Sequence, residues 1–132
     1  MCIKAASTCK AALIPFSRKK KLDMGAYIDD NMIVINNGFD IYKICSTDEV
    51  KLPGLHNLEN VLAASAICFF SGIGTDIIAS VLKKFAGVEH RLEDCGIVND
   101  VHFVNDSKGT NIDSALKAVA TQIGRASCRE RV

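Results

Sequence analysis

Between residues 26 and 44 the chain reads AYIDDNMIVINNGFDIYKI, three β-rich runs broken by Asp29-Asp30-Asn31 and by Asn36-Asn37-Gly38. Asn-Gly between such runs signals a hairpin, because both residues tolerate positive φ. The pattern predicts a three-stranded meander with a scaffolding role. Ahead of it, KAALIPFS at 10–17 reads as a buried strand over Ala11 to Phe16, and SRKKKLDMG as a solvated connection. A strand so near a chain end needs neighbours for its backbone groups. The chain is therefore read as an internal piece of a longer protein.

After a connector from Ser46 to Pro53-Gly54 the period changes. NLENVLAASAICFF, from Asn57, is apolar nearly all round and predicts a helix buried on most faces. Gly72 fits its C-terminus and Thr75 the N-cap of a second helix. That second helix, DIIASVLKKF, puts Ile77, Ile78, Val81, Leu82 and Phe85 on one stripe, with Lys83 and Lys84 opposite. GVEHRLEDC, 87 to 95, is mostly polar and suits a linker between domains. Gly96 to Val104 predicts a strand pair, GIV and VHFV, turning at Asn99-Asp100, and Ile112, Ala115, Leu116 and Val119 form the next helical stripe. The class is α/β, without internal repeats.

Composition narrows the function classes. With 132 residues and 48% hydrophobic content the chain can bury a core. A net charge of +1 suggests neither nucleic acid nor an anionic membrane as partner. The longest apolar run, Val61 to Phe70, is broken by Ser65 and is far short of a membrane span. The opening MCIKAASTCKAALIPF has no unbroken apolar block of the signal-peptide kind, so a cytoplasmic location is expected. Cysteines at 2, 9, 45, 68, 95 and 128 form no C-x-x-C pair, and His56, His90 and His102 are far apart, so no metal site is expected. The last ten residues, IGRASCRERV, read as a translated sequencing adapter, and 122–132 are set aside from fold reasoning. Arg125, Arg129, Arg131 and Glu130 lie in that tail; without it the net charge turns from +1 to −1.

Three stretches carry candidate chemistry. In GLHNLENVLAA, 54–64, Asn57 and Asn60 stand three apart at a helix start and can face the same way. A primary amide supplies the donor and acceptor that match an adenine edge; the other reading makes Asn57 the helix cap. In HRLE, 90–93, Arg91 sits in the candidate linker, where a guanidinium can hold ribose hydroxyls or phosphates between two domains. Exposed linker charge is the alternative. In VNDSKGTN, 104–111, Asp106 ends a strand and Lys108 follows it into the next helix, the place where α/β folds bind ligands. Thr110 or Asn111 can cap that helix, whose N-terminus favours an anion. SGIGTD, 71–76, follows a helix and lacks the third glycine of a dinucleotide fingerprint, and no phosphate loop occurs in the chain.

GLHNLENVLAA, FAGVEHRLE and VNDSKGTN, in that order and at those spacings, resemble the Mur ligases, and HR-x-E followed by NDSK-G/A-TN points to the D-glutamate-adding branch. The resemblance covers roughly residues 10–121. It implies a three-domain parent: an N-terminal domain for a UDP-sugar, a central ATP-binding domain, and a C-terminal Rossmann-like domain. Residues 1–87 would end the central domain, a β-meander plus helices, and 88–121 would open the C-terminal one. The implied reaction joins D-glutamate to UDP-N-acetylmuramoyl-L-alanine in peptidoglycan synthesis: ATP with Mg2+ activates a carboxylate as an acyl phosphate, which the amine then attacks. By resemblance Asn57 and Asn60 contact adenine, Arg91 and Asp106 hold the ribose, His90 lies beside the nucleotide, and Lys108 and Thr110 line the D-glutamate and phosphate side. The phosphate loop and magnesium ligands belong to parts of the parent outside this chain. It alone is therefore expected to be inactive, with no metal ligand or certain catalytic residue of its own, and the parent is expected to be a monomer acting on small molecules. Another Mur ligase, a folylpolyglutamate synthase-like ligase, or a non-catalytic nucleotide-binding module are the alternatives.

Overall fold

The structure is a computed structural model and describes residues 10–52 and 54–121. The adapter-like tail, Pro53, and Cys2, Cys9 and Cys128 lie outside the described residues. Within them the arrangement is mixed α/β. Strands β1 (Phe16–Ser17), β2 (Gly25–Asp29), β3 (Met32–Asn36) and β4 (Ile41–Ser46) form one sheet in that order, and β5 (Glu93–Val98) pairs with β6 (Val101–Asn105) in a separate hairpin. The helices are α1 (Leu55–Phe70), α2 (Thr75–Lys84) and α3 (Ile112–Thr121), with a short 3-10 turn at Thr47–Glu49. No helix among the described residues is long and apolar enough to cross a membrane.

The expected meander is present. β2–β3 turns through Asp30 and Asn31, both at positive φ (45° and 64°), and β3–β4 through Gly38 at φ 93°. The expected strand Ala11–Phe16 is not. Only Phe16 and Ser17 pair, in parallel with Ala26 and Tyr27. The ladder begins after Pro15 because proline has no N–H to donate, although its carbonyl still accepts the Ala26 N–H at 3.1 Å. That approach requires Gly25: a Cβ there would fall 2.0 Å from the Pro15 oxygen, at a φ of +120°. The lysine run is the solvated connection expected, with Lys21 paired to Asp29 at 2.7 Å.

Ala26, Ile28, Ile33 and Ile35 share one face of the sheet, and α1 lies over it through Val61, Leu62, Ser65 and Ala66. This is the core, with Leu62, Ile33 and Ile35 fully buried. The expectation that α1 is buried on most faces fails: Leu55, Ile67 and Phe70 are exposed. The sheet and α2 cover only part of the helix surface, and these three side chains lie outside that cover. α1 also starts at Leu55 rather than Asn57, because Gly54 serves as its N-cap and its carbonyl accepts the Asn57 N–H at 3.0 Å.

α2 follows a turn at Ser71 and Gly72, as expected, but Gly74 is its N-cap and Thr75 its first residue. Its apolar stripe divides. Ile78 is buried and Leu82 packs on the core, whereas Ile77, Val81 and Phe85 are exposed. Likewise Ile112, Leu116 and Val119 of α3 face outward while Ser114, Ala115 and Ala118 are half-buried. The polar stretch 87–95 is shorter as a connection than expected, since Glu93 already enters β5. The turn at Asn99 (φ 49°) and Asp100 (φ 62°) is as read.

Candidate functional site

The two asparagines come from the first turns of α1. Asn57 is the third helical residue, so the cap reading is overturned, and the i, i+3 spacing brings Asn60 Nδ2 to 3.5 Å from Asn57 Oδ1. Both amides therefore share one face of the helix, as their spacing requires.

Arg91 is presented by a turn held on both sides. The Arg91 N–H donates to Val88 O at 3.2 Å, and the Lys108 N–H to His90 O at 3.1 Å. Asp106 Oδ1 accepts the Leu92 N–H at 3.2 Å. His90 and Leu92 stand at φ 64° and 50°. Non-glycine residues keep such angles only where surrounding bonds over-determine them. Past Asp106 the loop is tightened by Gly109 N–H to Asp106 O (2.8 Å) and Thr110 N–H to Lys108 O (2.9 Å), and α3 begins under a cap made by Asn111, whose Oδ1 accepts the Ser114 N–H at 2.8 Å. Of the two possible caps, Asn111 fills the role.

These elements enclose a cleft of about 340 Å³, within the usual range of small-molecule sites. Asn60 lines it from α1, Arg91 and Leu92 from the turn, Asp106, Lys108 and Gly109 from the loop, and Ser114, Lys117 and Ala118 from α3. Four of the seven sequence-read residues, Asn60, Arg91, Asp106 and Lys108, thus meet on one cavity although they span 49 positions of the chain. Asn57, His90 and Thr110 stand one contact behind it: Asn57 against Asn60, His90 beneath Lys108, Thr110 on the Lys108 carbonyl. These four sequence-read groups are an amide, a guanidinium, an ammonium and a carboxylate, which between them can donate to and accept from a ligand carrying both hydroxyls and a heteroaromatic edge.

No protein-family model matches the chain. Among curated proteins, UDP-N-acetylmuramoylalanine--D-glutamate ligase of Thermoanaerobacter sp. (strain X514) is 51% identical over 110 residues, covering 83% of this chain and 24% of that protein. Proteins of the same name from Clostridioides difficile (strain 630) and Alkaliphilus metalliredigens (strain QYMF) are 47% and 44% identical over 114 and 115 residues, covering 86% and 87% of this chain. Over that segment the chain is a Mur ligase homologue. It spans about a quarter of the length of the curated relatives it matches.

For this Mur ligase homologue the structure adds cleft residues that sequence reasoning left unassigned. His56 and Glu59 reach the cavity beside Asn60, and Ser114 and Lys117 from α3. Glu59 is held by Arg18 at 3.4 Å and Lys117 by Asp113 at 2.7 Å. A signal existed for both pairs. His56 and Glu59 are three apart, as are Ser114 and Lys117; the first pair opens a helix read as apolar nearly all round, and the second lies beside the apolar stripe read for α3. Among the described residues no three His, Cys, Asp or Glu side chains are grouped to hold a metal ion.

Proposed function

We propose that this chain is the adenosine-binding segment of an ATP-dependent ligase that adds D-glutamate to UDP-N-acetylmuramoyl-L-alanine through an acyl phosphate. The observation that carries this reading is the convergence of Asn60, Arg91, Asp106 and Lys108 on one cleft. The names of the relatives supply the substrates. Residues 1–87 then form the end of a central ATP-binding domain, and 88–121 the opening of a Rossmann-like C-terminal domain. The outward apolar stripes of α2 and α3 and the exposed Ile97, Val98, Val101 and Phe103 of the hairpin support that division. Each is a face that further layers of a longer chain would cover.

In this reading the Asn57 and Asn60 amides pair with the adenine edge, and Arg91 and Asp106 hold the ribose hydroxyls. Asp106 does so with one oxygen, since Oδ1 already accepts the Leu92 N–H. His90 stands behind Arg91, and Lys108 with Thr110 faces the phosphate and D-glutamate side. ATP supplies the phosphoryl group that activates the carboxylate; the residues here bind and orient it. Among the described residues no three His, Cys, Asp or Glu side chains are grouped, and none of them is assigned to Mg2+.

The test is a graft in which this chain's matching segment replaces that of the Thermoanaerobacter ligase, assayed with a panel of amino acids. ATP-dependent ligation of D-glutamate in preference to other amino acids is the expected result. Preference for a different amino acid would favour another Mur ligase or a folylpolyglutamate synthase-like enzyme. An inactive graft that still binds ATP would leave only a nucleotide-binding module.

A further inference from the structure

The turn carrying Arg91 has a second set of bonds that the nucleotide reading does not use. Glu93 Oε2 accepts the His90 N–H at 2.9 Å and the Asn105 side-chain N–H at 3.2 Å. Asn105 Nδ2 also lies 2.9 Å from His90 Nδ1, while Asn105 Oδ1 accepts the Ser107 N–H at 3.1 Å. The orientation of the Asn105 amide is fixed from both ends. A backbone N–H can only donate, so the amide oxygen faces Ser107; a carboxylate can only accept, so the amide nitrogen faces Glu93. That nitrogen carries only hydrogens, so toward the ring it is a donor. Of the two groups facing His90 Nδ1, the Asn105 amide nitrogen at 2.9 Å is closer than Glu93 Oε2 at 3.5 Å; Nδ1 is then the acceptor, and the ring proton sits on Nε2.

Three side chains thereby brace the turn around Arg91. Glu93 takes the N–H before Arg91 and Asp106 the N–H after it, while Asn105 ties Glu93, the His90 ring and the Ser107 loop together. Without the brace only the Arg91 N–H to Val88 O and Lys108 N–H to His90 O bonds would hold the positive φ of His90 and Leu92, and Arg91 would leave the cleft as the turn relaxed.

Resting on the reading of the cleft as a nucleotide site, we infer that Asn105 and Glu93 are positioning residues for Arg91: they lock the His90 turn and hold the His90 imidazole as its Nε2–H tautomer. Neither residue lines the cleft. Their effect passes through the guanidinium.

Two measurements test this. In the 132-residue chain, labelled with 15N at histidine, long-range proton–nitrogen correlation reads the tautomer directly. The proton is expected on Nε2, and Asn105→Asp, which swaps the amide donor for an acceptor, is expected to move it to Nδ1. A wild-type ring protonated on Nδ1 alone overturns the inference. In the grafted ligase, Asn105→Leu and Glu93→Ala are expected to raise the KM for ATP about tenfold while the KM for D-glutamate changes less than about twofold. Glu93→Gln keeps an acceptor for the His90 N–H and is expected to restore most of the difference. A merely structural role would lower the amount of folded enzyme without splitting the two KM values. Arg91→Ala in the same enzyme separates the two levels of the argument. If it raises the KM for ATP and the Asn105 and Glu93 variants do not, the positioning role is wrong; if it has no effect, the nucleotide reading of the cleft fails.

Discussion

Asp106 accepts the backbone N–H of Leu92 at 3.2 Å, fourteen residues away in sequence, and so fastens the loop after β6 to the turn that carries Arg91. The two charged groups assigned to one ribose are therefore mechanically linked, and removing either disturbs the other. In the grafted ligase Asp106→Ala and Arg91→Ala are each expected to weaken ATP binding. The double variant is expected to lose less than the two effects added, by about 1 kcal/mol or more. Asp106→Asn keeps an acceptor for Leu92 and is expected to be the milder change. Additivity within about 0.5 kcal/mol, measured by calorimetry, would show that Asp106 and Arg91 act independently.

Ser65 is 1% exposed on the buried face of α1, and its Oγ has no hydrogen-bond partner among the described residues. A buried hydroxyl left unpaired costs about 1–3 kcal/mol, and alanine is the better helix former. Ser65→Ala is expected to stabilise the fold by about 0.5–1 kcal/mol, read as a higher urea midpoint with an unchanged slope. A lower midpoint would mean that the hydroxyl is satisfied in solution.

How much of this was legible beforehand varies with the range of the cause. The meander was, because Asp30-Asn31 and Asn37-Gly38 encode their turns locally. The start of α1 was not, since Gly54 caps it through its backbone alone and leaves no polar side chain to read. The burial of the helices was misread for a different reason. Ile77 and Val81 are apolar in sequence whether or not a neighbour exists to cover them, and periodicity records the stripe but not the layer it meets. Of the site, the residue types were visible, whereas the bracing of Arg91 by Glu93, Asn105 and Asp106 depends on two left-handed residues, of which Leu92 has no propensity for that conformation.

Glu49 receives hydrogen bonds from Lys83 Nζ at 2.6 Å and from the Ser46 N–H at 3.0 Å, joining the 3-10 turn to α2. The Lys83 bond is the main reason its carboxyl titrates below the usual 4.5. A carboxyl lowered by folding adds stability that is complete above the usual value and is lost as pH falls through the lowered one. The urea midpoint is expected to drop on acidification through that window, and Lys83→Met is expected to flatten the drop and return the Glu49 titration toward its usual position. An unchanged carbon-13 titration of Glu49 in the variant would contradict this.

The 132-residue chain alone is expected to hydrolyse no ATP above background in a phosphate-release assay, since it carries no phosphate loop. Turnover that survives repurification and disappears on Lys108→Ala would show that the cleft holds phosphoryl chemistry of its own.

The central claim is that the cleft between α1, the Arg91 turn and the loop after Asp106 receives the adenosine of ATP. Photolabelling of the grafted ligase with 8-azido-ATP, followed by peptide mapping, tests it most directly. The account predicts label on peptides containing residues 55–60 or 89–93, suppressed by excess ATP and reduced by Asn60→Leu. Label confined to the meander at 25–46, or absent from this segment altogether, would contradict it.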